Sequence, residues 1–412
     1  MERLKVGRVE GSLKVSDCII EAEGEVIEVE GRVYCTGDCV FTAPLKARAL
    51  LARDGDVEVQ GDLEAERSIS VKDGSLDVSG VVKARSISVD KVLKARGAEA
   101  EEITVGGRLK AEWAKAEDLD VGGSVECSRL EAADIDVGGS IKAEELKAEA
   151  IDVGGAVSCS MLSASYLSVG GSVTADVAQV GKVSVGGGVT ARERLKAATV
   201  DVGGVVRVGE GEVESLSVGG EVIASRGLNA KSASVGGKIS VSGKLKVDDA
   251  SVGGSIEAES IESSGRISVG GRVRADKQIK AAILSVGGSI EAKQIEARRI
   301  STTSLIADYT KAEVVEIKER GEARGVIVAE EVYLEERAKA DIIYADILDA
   351  EERCTITEVH AGHVTLGDHT KVLRKLEYTE SLELGERVKH PTPEKVEEIK
   401  PPEPPASLAP SP

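Results

Sequence analysis

One tripeptide constrains this chain more than any other feature. Val-Gly-Gly occurs twelve times, with its valine at 105, 121, 137, 153, 169, 185, 202, 218, 235, 252, 269 and 286. The interval is nearly constant, from Val105 to Val121 at one end of the array and from Val269 to Val286 at the other. Repetition at such a period marks a stacked architecture, in which each unit buries its apolar face only against its neighbours. A chain of 412 residues would otherwise suggest two or three domains. Because the repeat runs almost end to end, one long solenoid is the expectation instead.

Between the glycine pairs, apolar residues come two at a time with one polar residue between them. After Val121 they are Val125/Cys127, Leu130/Ala132 and Ile135/Val137; after Val137 they are Ile141/Ala143, Leu146/Ala148 and Ile151/Val153. Such triplets place two side chains on one face of a short strand. Corners such as Ser128-Arg129 separate the triplets, and the third corner is Gly-Gly, where glycine supplies either positive φ or close backbone approach. A helix is excluded, because five-residue spacing drifts around a 3.6-residue turn and leaves no stripe. The predicted fold is therefore all-β: a single-stranded parallel β-helix, with three short strands in each coil of 16–18 residues.

The rhythm continues outside the array. Ile27/Val29, Val33/Cys35, Cys39/Phe41, Leu45/Ala47 and Val57/Val59 carry it upstream; Val332/Leu334, Ala338/Ala340, Ile343/Ala345, Leu348/Ala350, Cys354/Ile356, Val359/Ala361 and Val364/Leu366 carry it downstream. The expected organisation is a continuous β-helix over 1–386. Its coils are less regular over 1–104, regular over 105–289, and of a C-terminal type over 290–386. A disordered Pro-rich tail follows over 387–412.

Composition narrows the partners. Aromatic residues are only 2% of the chain, so the core must be thin and filled by Val, Ile, Leu and Ala. The net charge of −19 disfavours nucleic acid, whose phosphates require a basic footprint, and favours a self-repelling rod. The start, MERLKVGRVEGSLKV, has no apolar signal region, and no stretch is long and apolar enough to span a bilayer. A cytoplasmic location without membrane contact is the expectation.

Stretches such as GDLEAERSISV (61–71) and VGGSIEAESIESSGRISV (252–269), joined to the Pro-rich tail, resemble the bactofilins. These are polymer-forming bacterial cytoskeletal proteins built on a right-handed β-helix between disordered tails, and this chain resembles an unusually long member. The resemblance implies nucleotide-free self-assembly through the ends of the β-helix, with scaffolding as the role. It also implies right-handed winding, in keeping with the crossover preference of parallel strands.

Each candidate for chemistry has a bland reading beside it. A phosphate-binding loop would need Lys and Ser/Thr at set offsets before a helix, whereas these glycine pairs lead into strands. His360 and His363 flank the inward Ala361 and Val364 and should stand outward at a solvated corner; with Cys354 nearby, a zinc site is the rival reading. Cys127 and Cys159 hold inward positions two coils apart, as small buried hydrophobes. Cys35 and Cys39 belong to successive inward pairs across one corner, as free thiols or as a bridge. Asp120, Asp136 and Asp152 occupy equivalent outward positions on successive coils, as solvated charge or as a calcium ladder. Acyltransferases and polysaccharide lyases also use β-helices. The strict six-residue period of the first breaks after about residue 82, and the cleft-forming loops of the second are missing.

The expectation is thus a non-enzymatic structural polymer without cofactor or metal, whose main partner is itself and whose tail could recruit a protein. The alternative is a monomeric scaffold for a protein or polysaccharide. End-to-end assembly would use the first and last apolar pairs, Leu4/Val6, Leu13/Val15 and Leu382/Leu384. Lateral pairing would use the outward residue before Val-Gly-Gly, which is Ser168, Ser184, Ser217, Ser234, Ser251, Ser268 and Ser285, interrupted once by Asp201. A flat, weakly charged strip is where two acidic rods could meet with least repulsion.

Overall fold

A computed structural model describes residues 2–405. Within them there are strands and no helix. The pairing is parallel wherever strands meet, and each strand bonds to the one a coil further along, as in Leu93↔Leu109 and Val235↔Val252. The protein is a β-solenoid of about 25 turns, with about 16 residues in each. It divides into two compact units, residues 1–207 and 208–412.

In the first unit, β1 (Glu2–Val6) pairs with β3 (Leu13–Ala22), while β2 (Arg8–Val9) pairs with β4 (Ile27–Phe41). The early coils are long, as the register pairs Leu13↔Val33 and Ile27↔Leu45 show. They have shortened by Leu93↔Leu109, where the tripeptide array begins. From there the inward ladders are unbroken. Leu109, Val125, Ile141, Val157, Val173 and Val189 stack in register and are essentially fully buried. A second ladder, Ile103, Leu119, Ile135, Ile151 and Leu167, is buried to the same degree. Aliphatic stacked on aliphatic fills a narrow core without large rings, because each branched side chain meets one of similar size one coil away.

The second unit repeats the scheme with one more residue per coil along its Val-Gly-Gly stretch, as in Val235↔Val252 and Val252↔Val269, and returns to the shorter spacing by Lys339↔Thr355. Leu228, Leu245, Ile261 and Ile279 form one buried ladder, and Val235, Val252, Val269 and Val286 another. Strand pairing runs from Arg272 to Leu334 straight through the corners, although Arg320 and Gly325 within that span have positive φ.

The structure decides between the two reasons for glycine at the corners. None of the array glycines has a positive φ. Close approach is the cause. A Cβ on Gly155 would lie 2.4 Å from the carbonyl oxygen of Gly139, and one on Gly139 would lie 2.3 Å from that of Gly123. The approach is used, because the Gly139 amide donates to the Gly123 carbonyl and the Gly155 amide to that of Gly139, both at 2.8 Å.

A second kind of corner, which the glycine pattern did not announce, governs the last coils. Arg320, Arg337, Arg353, His369 and Arg387 recur once per coil with φ between 56 and 62°. Their amides form a ladder of their own: Arg320 donates to the Glu336 carbonyl, Arg337 to that of Glu352, Arg353 to that of Asp368, and His369 to that of Glu386. Left-handed residues other than glycine are uncommon, and the repeated bond is what holds them there.

Pairing continues past residue 386, where the β-helix was expected to stop. Lys389 bridges to Lys371, and Glu394–Lys395 pairs with Glu377 and Tyr378. Further along the Pro-rich segment, the Pro405 carbonyl accepts a hydrogen bond from Gln294 Nε2 at 2.7 Å. The expected free tail therefore begins as a partial coil laid on the last full one. Its residues 406–412 lie outside the described residues.

Candidate functional site

The end positions follow from how a solenoid is paired. Every interior strand satisfies its amides and carbonyls on both sides, and only the outermost strands have a side left over. Among the described residues, β1 pairs with β3 alone, through Leu4↔Ile20 and Val6↔Ala22. Leu4 is 42% exposed although its register partner Ile20 is fully buried. It is an inward residue of a coil on whose other side no strand pairs among the described residues. Val6 and Val15 are buried and Leu13 half-buried, so these three serve the core more than the edge.

At the other end, among the described residues, 381–384 pair only with 363–366 of the preceding coil. Leu384 is 43% exposed and Leu382 half-buried. The sequence reasoning missed Leu373, at 58% the most exposed large apolar side chain among the described residues. Its signal was available: in Val372-Leu373-Arg374 an apolar residue occupies the outward place of a triplet.

The serine positions lie in register within each unit. Ser168, Ser184 and Asp201 are consecutive partners in the first, and Ser234, Ser251, Ser268 and Ser285 in the second. Ser217, Ser234, Ser251 and Ser268 are exposed; Ser168, Ser184 and Ser285 are half-buried. Elsewhere the outward columns carry ion pairs from coil to coil, such as Lys83–Glu99 at 2.7 Å, Arg85–Glu101 at 2.8 Å and Lys231–Glu214 at 2.7 Å. Exposed pairs of this kind are screened by solvent and add little to stability. Their consequence is to leave the serine strips as the plainest polar faces.

Asp120, Asp136 and Asp152 do stack, and the column Glu102, Asp118, Asp134 runs beside them. Among the described residues, however, no group of three or more acidic, histidine or cysteine side chains is arranged to hold a metal. The acidic double column is a patch of negative charge.

His360 departs from expectation. Its outward register is as read, between Tyr344 and Glu377, but it is not solvated: the residue is only 5% exposed. Its ring stacks on Tyr344 with centroids 4.4 Å apart, and Nδ1 bonds to the Glu377 carboxylate. Nε2 is buried without a hydrogen-bond partner and lies 3.8 Å from Glu358 Oε2. Glu377 is also held by Lys375 at 2.6 Å. Burial, the largest single influence, pushes its carboxyl up, but the bonds and charges of Lys375 and His360 together outweigh it and leave the group below its ordinary value. His363 is exposed, with Nδ1 2.9 Å from Ser381 Oγ, and His369 is the corner residue already described.

The one tryptophan, at 113, lies over Gly97 and lines a shallow surface groove with Arg129, Glu144, Ser160 and Met161. All six cysteines are free thiols and all are buried. Among the described residues no helix is long and apolar enough to cross a membrane.

Taken together, these features define a parallel β-solenoid with the open strand β1 at one described end and, at the other, a last full strand that the partial coil covers only in part. Comparison with protein-family models, with curated proteins and with solved structures gives no match for this chain.

Proposed function

We propose that this protein is a structural, polymer-forming solenoid that assembles with its own copies end to end, without nucleotide and without catalysis. The observation that carries the reading is the open strand β1 with its exposed Leu4. An extended edge with unpaired amides and carbonyls is a template for another strand, and residues 381–384 of a second copy offer a parallel strand of the same kind. The resemblance to bactofilins supports the same reading and carries with it a scaffolding role, right-handed winding and a cytoplasmic setting.

A monomeric binding scaffold is the second reading, favoured by the groove around Trp113 and Met161, where a rigid aromatic lies half-open to a partner.

Negative-stain images and light scattering of the purified chain separate the two. Self-assembly predicts filaments or concentration-dependent species, and Leu4→Lys or Leu384→Lys should shorten them without changing the melting temperature much. A monomer at every protein and salt concentration would overturn the proposal.

A further inference from the structure

The segment laid on the last full coil is built unlike the strand it covers. Lys389 pairs with Lys371, Glu394 with Glu377 and Lys395 with Tyr378, all in the parallel sense. The Val372 amide donates to the Lys389 carbonyl at 2.8 Å; the Lys389 amide donates to that of Thr370 and the Val396 amide to that of Tyr378, both at 2.9 Å. Beyond Val396 the chain leaves this end, since the Pro405 carbonyl bonds to Gln294 of an earlier coil.

Two features make the segment a poor template for a further coil. Pro391 and Pro393 have no amide to donate. Lys395 falls at the inward place of the ladder Ala329, Ala345, Ala361 and Tyr378, so a coil stacked on it would have to cover an ammonium group. Proline and inward charge are the devices that close a strand edge to further pairing.

Two other features hold the segment weakly. Both of its register pairs between charged residues set like on like, Lys389 on Lys371 and Glu394 on Glu377. Ion pairs join register partners elsewhere, as in Lys94–Asp77 at 2.6 Å and Arg129–Glu145 at 3.0 Å. Like charges directly opposite each other repel. The segment also buries little: Val396 and Ile399 are half-buried, and no residue from 386 to 405 is buried.

We propose, on the reading of this chain as a self-assembling solenoid, that residues 389–396 are a displaceable stopper on the end that receives the next copy. They occupy the edge of the strand Lys371–Leu384 in the same parallel sense as an incoming β1. Each amide and carbonyl of that edge serves one neighbour, so the stopper and β1 of a second copy exclude each other where they overlap. Residues 381–384 stay uncovered and give the incoming strand a place to begin. A copy adds fully only to an end whose stopper has left, and the affinity of an end for the next copy falls with the fraction of ends that are open.

Two full-length variants push the stopper in opposite directions. Lys389→Pro with Val396→Pro removes both of its backbone donors to the edge. Lys389→Glu with Glu394→Lys turns both repulsive pairs into attractive ones and leaves the net charge at −19. Light scattering and negative-stain images follow assembly across a range of protein concentrations. The double proline variant should lower the concentration at which filaments appear by about tenfold. The charge swap should raise it above that of the unaltered chain. Adding Leu4→Lys to the double proline variant should cancel the gain, which separates strand addition from clumping of a loosened end. If all three chains assemble at the same concentration, the stopper is overturned and self-assembly stands. A gain that survives Leu4→Lys, or a charge swap that promotes assembly, also overturns it. No assembly by any of the three overturns the polymer reading with it.

Discussion

At the residue scale, the array glycines show how one atom limits a fold. Each coil's Gly-Gly corner lies directly on the corner below, and the missing Cβ is what lets amide and carbonyl meet at 2.8 Å. Gly155→Ala would set a methyl 2.4 Å from the Gly139 carbonyl oxygen, and since every atom it meets is Gly139 backbone, nothing flexible can yield. The expected cost is about 1–3 kcal/mol, seen as a fall in melting temperature. Gly24 is the control: its Cβ would meet nothing within 4 Å, and its φ is not in the left-handed region. Gly24→Ala should be neutral or raise stability by up to about 1 kcal/mol, because it restricts the unfolded chain. Equal shifts for the two variants would mean that close approach is not why the array is glycine. The left-handed arginines were invisible by comparison, since Glu-Arg before a strand has no reputation as a turn. Only the repetition of Arg320, Arg337 and Arg353 at coil spacing hinted at a corner.

At the scale of the element, the triplets were easily read, because an inward residue in a two-faced strand must be apolar and its neighbour need not be. Val125/Cys127, Leu130/Ala132 and Ile135/Val137 are all buried. What the pattern could not say is that an outward residue can also be covered. His360 is covered because an aromatic, Tyr344, and a carboxylate, Glu377, occupy the same column on either side of it. This local cluster has a pH signature. Glu377 titrates below its ordinary value in the folded chain, so it contributes stability that is present above the ordinary carboxylate range and is lost as pH falls through its folded value. The melting temperature should therefore fall as pH is lowered below the ordinary carboxylate range, and Glu377→Gln should flatten that slope while lowering stability at neutral pH. Melting curves of both proteins across that window check it; parallel curves would show that the cluster carries no linked proton.

At the scale of the whole molecule, charge and edge pairing set the terms of association. A net charge of −19, concentrated in places such as the double column around Asp120 and Asp136, makes like faces repel. Salt shortens the reach of that repulsion to about 8 Å at physiological ionic strength and about 3 Å at 1 M. On the reading proposed above, side-by-side bundling should rise with salt, and Ser234→Lys with Ser251→Lys and Ser268→Lys should abolish bundles while leaving single filaments. Bundles unchanged in that triple variant would return the serines to plain packing. The last partial coil gives a separate prediction. Deleting residues 397–412 removes one described hydrogen bond to the solenoid and should hardly alter melting. Deleting 387–412 also strips Lys389 and Glu394–Lys395 from the strand Lys371–Leu384, and should lower the melting temperature measurably.

The sequence by itself determined the fold class, the coil length and the inward register. All three follow from local periodicity, and in a solenoid every long-range contact is a repeat of the one before it. Tertiary structure alone decided the rest. Which of two reasons requires glycine depends on the distance between coils, and that distance appears only once they are stacked. The pairing of residues 389–395 depends on a strand edge left open by the preceding coil. Cys18 pairs in register with Cys39 because the early coils are longer than the later ones and unequal among themselves, so that positions with no common period become neighbours. Where the repeat is regular, the chain's order and its neighbourhoods are the same information; where it is not, only the packed molecule holds it.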